Sequence, residues 1–360
     1  MRNSRNKKIL PAIGTICMLF LLLSACKNSS AVTVNTETEI TASEVRQYTD
    51  AGIAMGTVIS ETIYSDGEDV TEEVLSKLTE LENNILSWRV ESSEISLLNA
   101  EAGTGKKVLL SGETDTYIKQ ALQLAQDSSG AFDPTIGKIT RLWDIDGENP
   151  RVPEAEEIGS LLVEMGYEKI EYSEEGVLLP ENVSIDLGAI GKGIGCDVIR
   201  NYLSEKTEIS GAVISVGGSI VTYGSKPEGE PWQVAITDPR DDTGEYFAVL
   251  TLAGENYIST SGDYEKYIEQ AGQRYHHILD PETGYPADSG LISVTIVCDS
   301  GINSDGLSTA CFVLGLNDSL TLLEEYGAEA VFVDTEKNVY VTDGLKDKLS
   351  IIEDEYVVAE

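Results

Sequence analysis

The stretch Ile185-Asp186-Leu187-Gly188-Ala189-Ile190-Gly191-Lys192-Gly193-Ile194-Gly195 carries the reading of the chain. Short strands over Lys169–Leu187 run into four glycines around one lysine, and a helix follows from about Gly195 to Glu205. Glycines let backbone N–H groups approach a phosphate, a helix N-terminus adds partial positive charge, and Lys192 adds a cation in the same place. The segment is not a P-loop, because Gly193 follows the lysine where Ser or Thr is required. Nor are its glycines in the register of the dinucleotide fingerprint. Taken alone, it reads as a tight strand–helix turn with a solvated lysine.

Outward from this stretch, the first half is helical. Val70, Val74, Leu78, Leu81 and Ile85 recur at helical spacing, which predicts an amphipathic helix over Asp69–Leu86. Ser111–Asp127 and Pro153–Met165 read as further helices, and Gly52–Tyr64 before them as a strand. The second half is rich in strands: Ala212–Tyr223, Trp232–Thr237, Phe247–Leu252, Asn256–Ser259, Tyr275–Leu279 and Leu291–Val297. Helices are expected at Asp305–Leu314 and Ser319–Tyr326, and a closing hairpin at Ala330–Val333 and Val339–Val341. No internal repeat appears. This order predicts an α+β fold, a mostly antiparallel sheet packed with helices in one compact unit over residues 48–345, with 346–360 as a C-terminal tail.

The chain has 360 residues and a formal charge of −37. So acidic a surface repels phosphate backbones, so nucleic acid is not an expected partner. At the start, Arg2, Arg5, Lys7 and Lys8 precede an apolar run from Ile9 to Leu23, then Leu23-Ser24-Ala25-Cys26. That is the secretory pattern, and the run is short for a bilayer span of ~20 residues. The residues before Cys26 resemble a bacterial lipobox, which implies a leader over 1–25, lipidation of Cys26, and a flexible tether over 26–47. The expected location is outside the cytoplasmic membrane, held by a lipid anchor. Cys196, Cys298 and Cys311 remain, an odd number without Cys-x-x-Cys spacing, which argues against a disulfide framework and a zinc site. With His276 and His277 the only histidines, any metal site must be built mainly from oxygen.

Several other segments could carry chemistry. Asp305 and Thr309 are four apart on a predicted helix, so their oxygens share a face that suits a hard cation such as Mg²⁺. An Asp near a helix start also serves as a cap or dipole partner. His276 and His277 alternate faces before the turn Asp280-Pro281-Glu282-Thr283-Gly284, and either could act as a base near neutral pH. Ala131-Phe132-Asp133-Pro134, Met55-Gly56-Thr57 and Ser215-Val216-Gly217-Gly218 are turn-like and weak one by one.

In this order, together with Asp186–Gly193, His277–Gly284 and Asp305–Ala310, these motifs resemble the ApbE family, the FAD:protein FMN transferases. The resemblance runs from about Ala51 to Tyr340. It implies Mg²⁺-dependent transfer of the FMN half of FAD to a Ser or Thr of an extracytoplasmic electron-transfer protein, with release of AMP. It further implies a metal held by the Ala189 carbonyl, Asp305 and Thr309. FAD would be contacted by Met55, Trp88, Ala131, Phe132, Asp133, Asp186, Lys192 and Ile278. His277 would be the catalytic histidine, with Lys192 and Asp305 acting beside it. Two departures stand out: Gly188-Ala189 where Gly-Gly is common, and Asp305-Gly306 where Asp-Ala is common. The competing readings are an FAD pyrophosphatase, in which water replaces the protein hydroxyl, and a flavin-binding lipoprotein without chemistry.

Overall fold

The computed structural model describes residues 44–241 and 243–359. The leader, Cys26 and all but the end of the tether lie outside the described residues.

The chain opens with strands β1 (Arg46–Ala54) and β2 (Thr57–Ser65), joined by Met55 and Gly56. The single strand expected over Gly52–Tyr64 is therefore a hairpin. Both linking residues have positive φ, +54° for Met55 and +67° for Gly56, as a two-residue turn between twisted strands requires. The alternation of side chains runs through this turn, so the pattern alone does not reveal it. Helix α1 (Thr71–Leu81) continues into a wider π-helical turn, Glu82–Leu86, so the apolar periodicity to Ile85 is accounted for by two kinds of helix. Next come α2 (Glu94–Ala100), α3 (Gly112–Asp127), α4 (Gly137–Trp143) and α5 (Ala155–Leu162). The two seven-residue helices, α2 and α4, are too short to show a periodicity in sequence. A small hairpin of β3 (Glu171–Ser173) and β4 (Gly176–Leu178) leads to α6 (Gly188–Ser204). This helix begins at Gly188 and not near Gly195, so the glycines form its first turns.

Strands β5 (Ile209–Val216) and β6 (Ser219–Gly224) form a hairpin in place of the single strand expected over Ala212–Tyr223. Gly217, with φ +60°, opens their two-residue turn. Then follow β7 (Trp232–Thr237), β8 (Tyr246–Leu252), β9 (Asn256–Gly262), β10 (Tyr267–Gln270), β11 (Gln273–His276) and β12 (Leu291–Cys298). Helices α7 (Gly301–Leu314) and α8 (Leu316–Glu325) precede β13 (Glu329–Asp334), β14 (Asn338–Val341), β15 (Leu349–Ile351) and β16 (Val357–Val358). The residues set apart as a tail thus supply two strands.

The strands assemble into a nine-stranded sheet in the order β1-β2-β5-β6-β9-β12-β13-β14-β16, antiparallel except for the last pair. A smaller sheet, β15-β8-β7, covers part of it. The class is α+β, as the element order predicts. One apolar cluster joins Ile190 and Ile194 of α6, Leu307 and Phe312 of α7 and Leu124 of α3 to Val294 and Ile296 of β12. Another joins Ile258, Ile292 and Val333 of the large sheet to Val234, Phe247 and Leu250 of the small one. Helices cover one face and a sheet the other, so β12 is buried along nearly its whole length. That is why it reads as a continuous apolar run with little alternation.

Candidate active site

Two helices cross here at their glycines. A methyl on Gly193 would overlap the Gly301 carbonyl oxygen and stand 2.7 Å from the Asp305 Cβ. A methyl on Gly301 would overlap the Gly193 carbonyl oxygen. Glycine costs a helix interior ~1 kcal/mol against Ala, but here it permits backbone-to-backbone packing that no other residue allows.

This crossing seats Asp305 in the middle of the two helices. The sequence pattern places it at the start of its helix, but α7 begins four residues earlier, at Gly301. Asp305 is 1% exposed, and its carboxylate has three polar partners among the described residues. The Gly193 N–H donates to Asp305 Oδ2 at 2.9 Å. Lys192 Nζ lies 3.2 Å from Oδ1, and Ser219 Oγ donates to the same oxygen at 3.2 Å. In a regular helix the Gly193 N–H bonds the Ala189 carbonyl, so its bond to Asp305 draws that donor toward the carboxylate. Burial works against the charge on Lys192, but Asp305 and Glu265 outweigh it and raise its pKa.

Gly306, next to Asp305, lies inside α7 and not at its start. A methyl there would run into the Leu124 side chain, with Ile190 at 2.9 Å. Leu124 and Ile190 fill the space beside Gly306.

Behind Asp305 stands a row of hydroxyls. Ser259 bonds Ser219 at 3.0 Å and Ser304 at 2.8 Å, and Ser261 bonds Ser308 at 2.7 Å. Ser261 also lies 3.4 Å from Thr309 Oγ1. Ser259 and Ser261 face one way on β9, while Ser304 and Ser308 share one face of α7. That matched pair of spacings, two apart on a strand and four apart on a helix, is the signal in the sequence that would have found them.

His277 follows β11. Its backbone N–H donates to the Lys266 carbonyl at 3.0 Å, and its Nδ1 faces the same oxygen at 3.3 Å. A carbonyl only accepts, so Nδ1 carries the hydrogen and the Nε2 lone pair is left for a proton. Burial, then the cations Lys266 and Lys192, then His276, push its pKa down to about 3. His276 is a different case. It is buried, its Nε2 lies 3.0 Å from the Ala287 carbonyl, and its ring meets Phe312 edge-on. Of the two histidines, then, His276 is a core residue.

Of the other segments, Asp186 and the 131–134 turn lie at the head of α6. Asp186 is buried, and the Gly188 N–H donates to its Oδ1 at 2.8 Å. Burial raises its pKa, and the Gly188 N–H works the other way. The Asp186 N–H donates to the Pro134 carbonyl at 2.8 Å, which lays the 131–134 turn alongside. Within that turn the side chains are engaged locally. Phe132 is buried in the core, and Asp133 accepts from the Thr135 N–H, the Thr135 hydroxyl and the Tyr167 N–H. Ala131 is half-buried beside them. Ile278 is in the core, its carbonyl accepting from the Ala287 N–H at 3.0 Å. Met55 lies over the glycine face of α6, its sulfur 3.1 Å from where a Gly195 methyl would be. Its N–H donates to Glu82 at 2.6 Å.

Trp88 lines a cavity of about 550 Å³ with Arg89, Ser96, Asn99, Ala100 and Arg141. The guanidinium carbons of Arg89 and Arg141 lie 4.0 and 4.4 Å from its ring centroid. Asn99 ties this wall to the motif beside it, exchanging two hydrogen bonds with the backbone of Ile185. Arg89, Asp146, Glu265 and Lys266 escape a reading by motif, since they sit singly in loops, and Arg141 escapes it on a helix too short to show a pattern. Glu265 Oε1 stands 3.0 Å from where a Gly218 methyl would be. Burial raises its pKa, with Lys192 and Lys266 opposing.

Among the described residues, no three His, Cys, Asp or Glu side chains converge as a metal cluster. The donors expected from the sequence, the Asp305 carboxylate, the Thr309 hydroxyl and the Ala189 carbonyl, are instead all oxygens on α6 and α7. That set fits a hard cation that draws its remaining ligands from water and phosphate. No helix among the described residues is long and apolar enough to cross a membrane.

The chain matches the ApbE family over residues 55–332. It is 32% identical to the FAD:protein FMN transferase of Treponema pallidum over 337 residues, covering 87% of this chain and 92% of that one. Its identity to the Haemophilus influenzae FAD:protein FMN transferase is 30%, over 93% of this chain and 96% of that one. Among solved structures, the ApbE protein of Thermotoga maritima superposes with a TM-score of 0.78 at 32% identity, over 84% of this chain and 99% of that one. The flavin transferase ApbE of Vibrio cholerae gives 0.74 at 28% identity, over 85% and 100%.

Proposed function

The chain belongs to the ApbE family, and on that premise we propose that it transfers the FMN half of FAD to a Ser or Thr hydroxyl of a protein, with Mg²⁺ bound and AMP released. The observation that carries this reading is the crossing of α6 and α7, which brings Lys192 within 3.2 Å of Asp305. A cation, a carboxylate and backbone N–H groups stand together in a protein whose overall charge would repel a dinucleotide.

In the proposed reaction the acceptor oxygen forms a bond to the flavin-side phosphorus. The bond from that phosphorus to the bridging oxygen breaks, and AMP takes that oxygen and its electron pair. His277 Nε2 takes the hydroxyl proton; the partner at Nδ1 leaves the Nε2 lone pair available. Lys192 offsets the charge on the phosphates. Asp305, Thr309 and the Ala189 carbonyl would hold the cation, whose chemistry is to neutralise phosphate oxygens and the departing charge. At Trp88 the two guanidinium groups stacked on the indole offer positive charge to the phosphates of FAD.

The acceptor in this reading is an extracytoplasmic electron-transfer protein, and the chain is tethered outside the cytoplasmic membrane through lipid on Cys26. Mass analysis of the membrane-extracted chain checks the tether: a diacylated N-terminal Cys26 supports it, and an unmodified Met1 removes it.

To test the activity, the chain is incubated with FAD, Mg²⁺ and a protein fragment carrying a candidate acceptor Thr. A flavin-fluorescent acceptor band on a denaturing gel, dependent on Mg²⁺ and matched by AMP, supports transfer. AMP and free FMN without such a band would favour the pyrophosphatase. Bound FAD with neither product would leave a binding protein.

A further inference from the structure

A chain of charged side chains runs from the wall of the cavity to the segment that holds His277. Arg89, stacked on Trp88, donates to Asp146 Oδ1 at 2.6 Å. Lys266 Nζ donates to the other oxygen, Oδ2, at 3.2 Å. The Lys266 carbonyl is the partner of both the His277 N–H and its Nδ1. Arg89, Asp146 and Lys266 come from three separate loops: after the π-helical turn, after α4, and between β9 and β10.

We propose that Asp146 is a positioning residue, which by tying Arg89 to Lys266 holds the Lys266 carbonyl where it fixes the His277 ring with Nδ1–H inward and Nε2 free. The inference rests on the transfer reading above for its link to catalysis.

The argument is one of constraint. Among the described residues, the only hydrogen-bond partner of the His277 ring is that carbonyl, at a distance that leaves the ring loosely held. The ring is therefore only as fixed as the 263–266 loop. That loop is anchored at Asp263 through Arg240 and the Ile292 carbonyl, and at its other end the Lys266 side chain is anchored through Asp146. The side chains of Arg89, Asp146 and Lys266 keep 45%, 33% and 43% of their exposure, so the pairs contribute little to global stability. Their geometric effect is larger, since they join three loops around one site. The cations bearing most on the His277 ring are Lys266 and Lys192. Asp146 partly neutralises the first of these, through its ion pair with the ammonium. Its removal leaves Lys266 and Arg89 without their shared partner, and the ring free to turn.

The test uses Asp146→Ala and Asp146→Glu in the full chain. Loss of positioning through a distant group lowers kcat by about tenfold, while the FAD dissociation constant, read from flavin fluorescence quenching, moves less than about twofold. Asp146→Glu regains most of the rate. Independently, ¹⁵N spectra of the two imidazoles report the tautomers. In the parent, His277 shows the Nδ1–H pattern at neutral pH; in Asp146→Ala it shows a mixture, while His276 is unchanged. An unchanged His277 tautomer in Asp146→Ala overturns the proposal. So does weakened FAD binding with unchanged kcat, which would make Asp146 part of the cavity wall alone. If the parent transfers no flavin but the tautomer shifts, the transfer reading fails and the positioning of the ring stands.

Discussion

Gly193 and Gly301 meet backbone to backbone, each occupying the space in which the other's side chain would stand. This contact brings the Gly193 N–H onto Asp305 and sets Lys192 beside it. A methyl at Gly193 meets backbone on the far side, which cannot swing away. Gly193→Ala should therefore destabilise the protein by about 1–3 kcal/mol, the usual cost of forcing extra volume into a packed contact. Urea denaturation measures the loss, and an unchanged midpoint would mean that the helices do not cross this closely.

Asp305→Ala removes the central carboxylate. The variant should stay folded by circular dichroism and lose about 10²–10³ in transfer rate, the scale for a group that organises charge in a site. Added Mg²⁺ should no longer alter the rate. Retention of the Mg²⁺ response would move the cation away from α7.

His277→Ala should slow transfer far more than it weakens FAD binding. The parent enzyme's pH profile follows from the same residue. With its pKa pushed down to about 3, His277 stays neutral through the range in which an ordinary histidine gains its proton. No acid limb near pH 6.5 should then arise from it. In the unfolded chain the ring titrates near its normal value, so between pH 6.5 and 3 the unfolded state binds the extra proton. His277 thus costs stability as the pH falls through that window. A histidine limb near pH 6.5 that disappears in His277→Ala would contradict the burial described.

Glu61 gives the opposite dependence. It is 4% exposed on β2, its Oε2 has no partner among the described residues, and burial, followed by Asp50 and Asp69, raises its pKa to about 8. The folded state keeps a proton that the unfolded state loses above its ordinary pKa of 4.5. Stability from this group therefore declines from about pH 4.5 up to 8. Glu61→Gln should flatten that decline, so its melting temperature should exceed the parent's more at pH 8.5 than at pH 5. Equal differences at both values would count against a protonated Glu61.

Much of this was legible in residues. The apolar run of β12 and the helical spacing of apolar residues in α1 marked their elements, and six weak motifs in one order marked the family. What the pattern hid has a physical cause in each case. Met55 adopts positive φ without being glycine, so a turn looks like mid-strand. The glycines of α6 look like loop because local propensity counts against them, while the contact that favours them lies more than a hundred residues downstream. Asp305 looks like a cap until the four preceding residues are seen to be helical. Arg89, Asp146 and Lys266 become neighbours only after the loops are placed, and nothing in their separate surroundings announces it.

The helix crossing also bears on what is free to vary. Because α6 and α7 interlock through their main chains, they move as one piece. Lys192 and Asp305 are thus set against each other by the helix pair and not by the surrounding loops. The wall around Trp88 and the loop before His277 are built from segments that carry no such lock. Substrate fit can thus be retuned at the rim, by loop length and charge, without disturbing the spacing at the centre. A graft of foreign loops onto this helix pair would inherit its charge geometry intact.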